Sequence, residues 1–101
     1  MKQEFIDALC GSGSSMADAG ISESDALKFA ENYAIRLSNG FEGDDLPVQK
    51  AGAKLCMHNY YAQLYRFFDD GEPYCQYDEE TLLKKMRDLQ APCPHELLLM
   101  D

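Results

Sequence analysis

Residues 46–69 read LPVQKAGAKLCMHNYYAQLYRFFD, and this stretch decides the fold. Ala53, Met57, Tyr60, Leu64 and Phe67/Phe68 recur every three or four residues, and Tyr61 and Tyr65 widen the same stripe. Asn59, Gln63, Arg66 and Asp70 repeat at the same interval on the opposite side. An apolar stripe facing a polar one at a period near 3.6 is the signature of an amphipathic helix. Asp45 is placed to cap it, and Pro47 falls in the first turn, where a missing N–H costs nothing. Leu55 and Ala62 extend the apolar flank. Gly52 marks either a weak point or a place where another helix comes close.

Upstream, the spacing predicts a helix over 22–39. Ser22 followed by Asp25 makes an approximate capping box, with Asp in the usual Glu/Gln position. Leu27, Ala30, Ala34 and Leu37 share one face, while Asp25, Lys28, Asn32, Arg36 and Asn39 share the other. Gly40 suits the position just past a helix end. Before it, Phe5, Ile6, Leu9 and Cys10 predict a short helix over 2–10. Gly11-Ser12-Gly13-Ser14-Ser15 reads as its end and the start of a flexible link over 10–20, with room for one helical turn closed by Gly20. Downstream, Asp78 caps a predicted helix over 78–90. Glu79 and Glu80 sit at its start and Lys84, Lys85 and Arg87 near its end, the order that suits the helix dipole. Pro92 and Pro94 break the pattern before the apolar run 95–100, which reads as either a last helical turn or a docked extended tail.

The expected fold is therefore all-α, a small bundle of about four helices around a long central third helix. The expected core is Phe5, Ile6, Leu9, Leu27, Ala30, Ala34, Leu37, Leu55, Met57, Leu64, Phe68, Leu82, Leu83, Met86 and Leu89. The chain has 101 residues, enough for one domain. Its 46% hydrophobic and 27% charged residues are globular values. With 18 acidic residues against 9 Lys and Arg the net charge is −9, the wrong sign for a general binder of nucleic acid. No apolar run has the length of a membrane span. The start MKQEFIDALC lacks the apolar segment of a signal peptide, so the expected setting is cytoplasmic, with free thiols.

Two surfaces stand out as partner sites. The first is acidic: Glu42, Asp44, Asp69, Asp70, Glu72, Glu79 and Glu80. Some of these are explained as helix-start charges, but Asp69 and Asp70 lie at a helix C-terminus, where the dipole disfavours them. The second is aromatic: Tyr60, Tyr61, Tyr65 and Phe67. A helical core buries rings first, yet a chain this short has trouble hiding so many, which leaves part of the stripe for a partner or a second copy. Cys75, Cys93 and His95 are candidates for a metal site, but the knuckle spacing of zinc ligands is absent. Cys56 and His58 stand two apart on a helix and point different ways. No catalytic residue is assigned and no cofactor is expected. The sequence reads as a non-enzymatic interaction protein, a regulator or inhibitor with a basic protein partner such as a nucleic-acid-handling machine. Two alternatives stand beside it: a homodimer built through helix 46–69, and a small Cys/His metal-binding protein.

Overall fold

A computed structural model describes residues 3–41, 46–69 and 78–91, with the side chains of 41 and 67–69 left aside. The fold is all-α. Helix α1 spans Gln3–Asp18, α2 Glu23–Phe41, α3 Leu46–Asp69 and α4 Glu79–Leu89. The 24 residues of α3 make it the longest element, about 36 Å at 1.5 Å per residue. It packs against each of the other three helices, and α1 also touches α2.

The expected link at 10–20 is corrected. Gly11 to Ser15 lie inside α1, which continues to Asp18. Glycine costs a helix about 1 kcal/mol against alanine, so tertiary contact must compensate. Gly13 is buried, and a Cβ built on it would stand 2.2 Å from the Cys56 carbonyl oxygen and 3.0 Å from the Tyr60 nitrogen. The backbone of α1 therefore lies against the backbone of α3, and only a residue without a side chain fits there. Met16 and Ala17 beyond it are buried in the same core as Phe5 and Leu9. Gly52 is the counterpart on α3: a Cβ there would meet Leu9 Cδ1 at 2.9 Å and Phe5 Cζ at 3.1 Å. Of the two readings of Gly52, close approach is the right one.

Helix α1 ends at a Schellman motif. Ile21 N–H donates to Met16 O at 3.0 Å, Gly20 N–H donates to Ala17 O at 3.1 Å, and Gly20 takes φ +75°. Ser22 then opens α2, accepting from the Asp25 N–H at 3.4 Å. The expected stop at Gly40 moves by two residues, because α2 runs through to Phe41. At α4 the cap is Asp78, which accepts from Thr81 N–H at 2.7 Å. That helix closes on Gln90 in the left-handed region.

Helix α2 meets the core through small residues. Ala26, Ala30, Ala34 and Ser38 recur every fourth residue, and all four are wholly buried. Leu27, expected in the core, is exposed instead, because the alanine ridge makes the contact and sets Leu27 on its flank. Leu83 is likewise exposed, since Leu82 takes the buried position on α4. Leu37, Met86 and Leu89 are partly buried against the core. Phe5, Ile6, Leu9, Ala30, Ala34, Leu55, Met57, Leu64 and Leu82 are core as expected, and Phe68 lies outside the described side chains.

Two glycine substitutions in α1 should act in opposite directions. Gly13→Ala forces a methyl group onto the α3 backbone and should cost about 1–3 kcal/mol. Gly11→Ala meets nothing within 4 Å and should stabilise by about 0.5–1 kcal/mol. Chemical denaturation of both variants checks this; equal effects would mean that α1 does not pack through Gly13.

Candidate functional site

The aromatic stripe is core at its centre. Tyr60 and Tyr61 are 2% and 8% exposed, so their rings are not available to a partner. Their hydroxyls still find acceptors, as buried phenols must. Tyr60 donates to Ile21 O at 2.5 Å, at the corner between α1 and α2. Tyr61 donates to Glu23 Oε2 at 2.9 Å. The same carboxylate oxygen pairs with Lys85 Nζ at 2.8 Å, and Lys85 stands 6.0 Å from the centre of the Tyr61 ring. One carboxylate on α2 thus joins α3 and α4. Tyr65 is half-buried and donates to Glu79 Oε1 at 2.8 Å. Phe67 belongs to α3, but its side chain is outside the described set.

The acidic residues do not assemble into one described patch. Glu79 and Glu80 are exposed in the first turn of α4, and Glu79 is engaged by Tyr65. Asp69 is the last residue of α3. Glu42, Asp44, Asp70 and Glu72 lie outside the described residues, as do Cys75, Cys93 and His95. No helix of the described residues is long and apolar enough to cross a membrane.

The thiols that are described are free. Burial pushes the Cys56 thiol up to about 11, with the neighbouring Cys10 adding to it. Burial also raises Cys10, against the opposing hydrogen bond from Asn59. Both are therefore thiols at neutral pH, and a thiol is a poor nucleophile compared with its thiolate.

Among the described residues an apolar groove of about 360 Å³ opens between α2 and α3. Leu27, Glu31 and Ile35 come from α2, one helical turn apart. Leu46, Gln49, Lys50, Ala53, Lys54 and Met57 come from α3, and Leu89, the last residue of α4, completes the lining. Met57 is fully buried at its floor, while Leu27, Ile35 and Leu46 stay 44%, 44% and 59% exposed. The groove exists because the alanine ridge of α2 lies against α3. The adjacent row of α2, at 27, 31 and 35, is left beside that contact with nothing of the described chain above it. The volume lies near the lower end of the range for ligand sites. Lys50 and Lys54 stand one turn apart on its α3 side and are exposed, and neither takes part in an ion pair among the described residues.

Sequence reading misses this groove. Leu27 reads there as core, and Ile35 and Leu46 are not singled out. The signal that finds it is the fourth-residue repeat of Ala26, Ala30, Ala34 and Ser38: a helix that packs through small residues leaves its large ones at the side.

The raised Cys56 pKa gives a pH prediction. A group that holds its proton more tightly when folded stabilises fully below its ordinary value of 9.0, and that contribution is lost as pH rises through about 11. The melting temperature should therefore fall more steeply from pH 9 to 11 in the wild type than in Cys56→Ala. Parallel pH curves for the two proteins would show that Cys56 does not titrate in this way. No protein-family model, curated protein or solved structure matches this chain.

Proposed function

We propose that the chain is a non-enzymatic interaction protein that regulates a partner protein by seating one of the partner's apolar segments in the α2–α3 groove. The observation that carries this reading is the convergence of Leu27, Ile35 and Leu46, all large and all well exposed, over a buried floor at Met57. Singly exposed apolar residues are ordinary, but several lining one concave surface are the usual mark of a docking site. Two parallel helical rows with a trough between them suit an amphipathic helix or an extended strand, whose anchors fall at matching intervals.

Charge supplies the second part. A net charge of −9 speeds the approach of a partner with basic surface and makes the rate depend on salt. A protein that handles nucleic acid carries such a surface, which makes inhibition of that kind of machine the leading biological role. The acidic residues Glu42, Asp44, Asp69, Asp70, Glu72, Glu79 and Glu80 are the proposed steering charges. The free thiols of Cys10 and Cys56 fit a reducing, cytoplasmic setting. Homodimerisation through α3 is the poorer reading, since Tyr60 and Tyr61 are already enclosed by the chain's own helices.

The test separates the two surfaces. A partner isolated on the tagged chain is titrated against the wild type, against Leu27→Lys with Ile35→Lys, and against charge reversal at Asp69, Asp70 and Glu72. The groove variant should bind at least about tenfold more weakly, about 1.4 kcal/mol, with little change in melting because both positions are exposed. The charge-reversed variant should bind more slowly and with less dependence on salt. Unchanged affinity in the groove variant would remove the groove from the binding site.

A further inference from the structure

We infer that the groove is self-complementary, and that two copies of the chain pair through it, the α2–α3 face of one on the α2–α3 face of the other. The inference goes beyond the partner reading: it gives the same surface a second occupant, and the two exclude one another. This face is separate from the tyrosine stripe, and Tyr60 and Tyr61 stay in their own core.

The levels of the side chains along the groove carry the inference. The start of α2 meets α3 at Tyr61, whose hydroxyl donates to Glu23, while the end of α2 at Phe41 lies few residues before Leu46 at the start of α3. The two walls therefore run antiparallel. Counted from the Tyr61–Glu23 bond at 1.5 Å per residue, Glu31 stands about 12 Å along α2. On the same count Lys54 and Lys50 stand about 10.5 and 16.5 Å along α3. The acid on one wall is thus level with the space between the two lysines on the other. All three side chains are exposed, and none takes part in an ion pair among the described residues.

A two-fold axis along the groove keeps every residue at its own level and exchanges the walls, so that α2 of one copy lies over α3 of the other. Glu31 then faces Lys50 and Lys54 of the second copy, and the contact occurs twice. Leu27 falls level with Met57 of the second copy, and Ile35 falls level with Gln49, one turn from Leu46. The apolar side chains left beside the alanine ridge become the inside of a four-helix layer. A two-fold axis across the groove at the level of Glu31 would set Glu31 against Glu31 and lysine against lysine. Charge therefore selects the first arrangement.

The contact is short. Its α3 side, from Leu46 to Met57, measures about 16 Å, and each copy carries −9. Exposed ion pairs contribute at most about 1 kcal/mol each, so they set the register while the apolar side chains hold the dimer. Such a dimer is weak, and salt tightens it by screening the repulsion between like-charged copies. A basic partner meets no such repulsion and displaces the second copy.

The experiment is sedimentation of the full chain from low micromolar to about one millimolar concentration, a range that brackets weak association. The wild type should pass from monomer to dimer, more readily at high salt. Leu27→Lys with Ile35→Lys should remain a folded monomer, because both positions are exposed. Glu31→Lys should self-associate about tenfold more weakly, although it lowers the net negative charge and general repulsion with it. Lys50→Glu with Lys54→Glu should also self-associate about tenfold more weakly. An equimolar mixture of these two charge variants should dimerise again, since each then meets its opposite on the other chain. A wild type that stays monomeric throughout would overturn the inference. A dimer that survives Leu27→Lys with Ile35→Lys would overturn it too, as would a Glu31→Lys chain that associates as tightly as the wild type. None of these results touches the partner reading, which stands or fails on the partner's own response to Leu27→Lys with Ile35→Lys.

Discussion

The backbone of α1 lies against the backbone of α3 at Gly13, where even a methyl group would stand 2.2 Å from the Cys56 carbonyl oxygen. That contact sets the depth at which α1 sits, and the rest of the core follows from it. Phe5 and Leu9 reach across to Gly52 only because α1 is that close. Their rings and branches fill the space that a Gly52 side chain would take. The two helices interlock by exchanging glycines: each offers a notch to the other. Such an interface tolerates little adjustment, since backbone atoms cannot change rotamer. It also explains how a helix containing Gly11 and Gly13 survives at all. The propensity penalty is local and amounts to about 1 kcal/mol per glycine, whereas the core formed beyond Gly13 includes Met16, Ala17 and Tyr60.

The same economy of size governs α2 and produces the groove. A row of Ala26, Ala30, Ala34 and Ser38 brings α2 close to α3. Close packing through small residues buries little apolar area per residue, so polar staples supplement it. Glu23 at the start of α2 receives Tyr61 from α3 and Lys85 from α4, and Tyr60 reaches the Ile21 carbonyl just before it. The large residues of α2 are then surplus to the core. Leu27 and Ile35 lie on the row beside the alanines, and α3 presents Leu46 and Ala53 towards them. The exposed apolar surface is thus a consequence of how the fold is held together, and it is where a docking segment gains most by displacing water.

Much of this architecture is legible in the residue order. Ser22 and Asp78 announce helix starts because a side-chain oxygen three residues before an N–H is a local chemical fact. Gly20 announces a stop for an equally local reason, its positive φ. The limits of α3 follow from Pro47 and the period of its apolar stripe. What fails is whatever depends on a second helix. Gly11 to Ser15 look like a link because loss of helix propensity is local, while the backbone of α3 that makes Gly13 necessary is more than forty residues away. Leu27 looks like core because size and apolarity are properties of the residue, whereas burial belongs to the ridge chosen for contact. The groove is the extreme case. Its walls come from positions 27–35, 46–57 and 89, and no one-dimensional pattern joins them.

Charge acts on this molecule at two ranges, with opposite signs. Seen from beyond a Debye length of about 8 Å, the chain is an anion of −9 and draws basic surfaces towards it. Among the described residues that line the groove, the charges are Lys50, Lys54 and Glu31, a small positive excess. A segment that enters is therefore selected by a rule different from the one that brought its owner near. On the proposed reading the whole partner is basic, while the segment in contact is apolar with acidic neighbours. Few surfaces satisfy both conditions, which makes the pair of fields a filter against unrelated basic proteins.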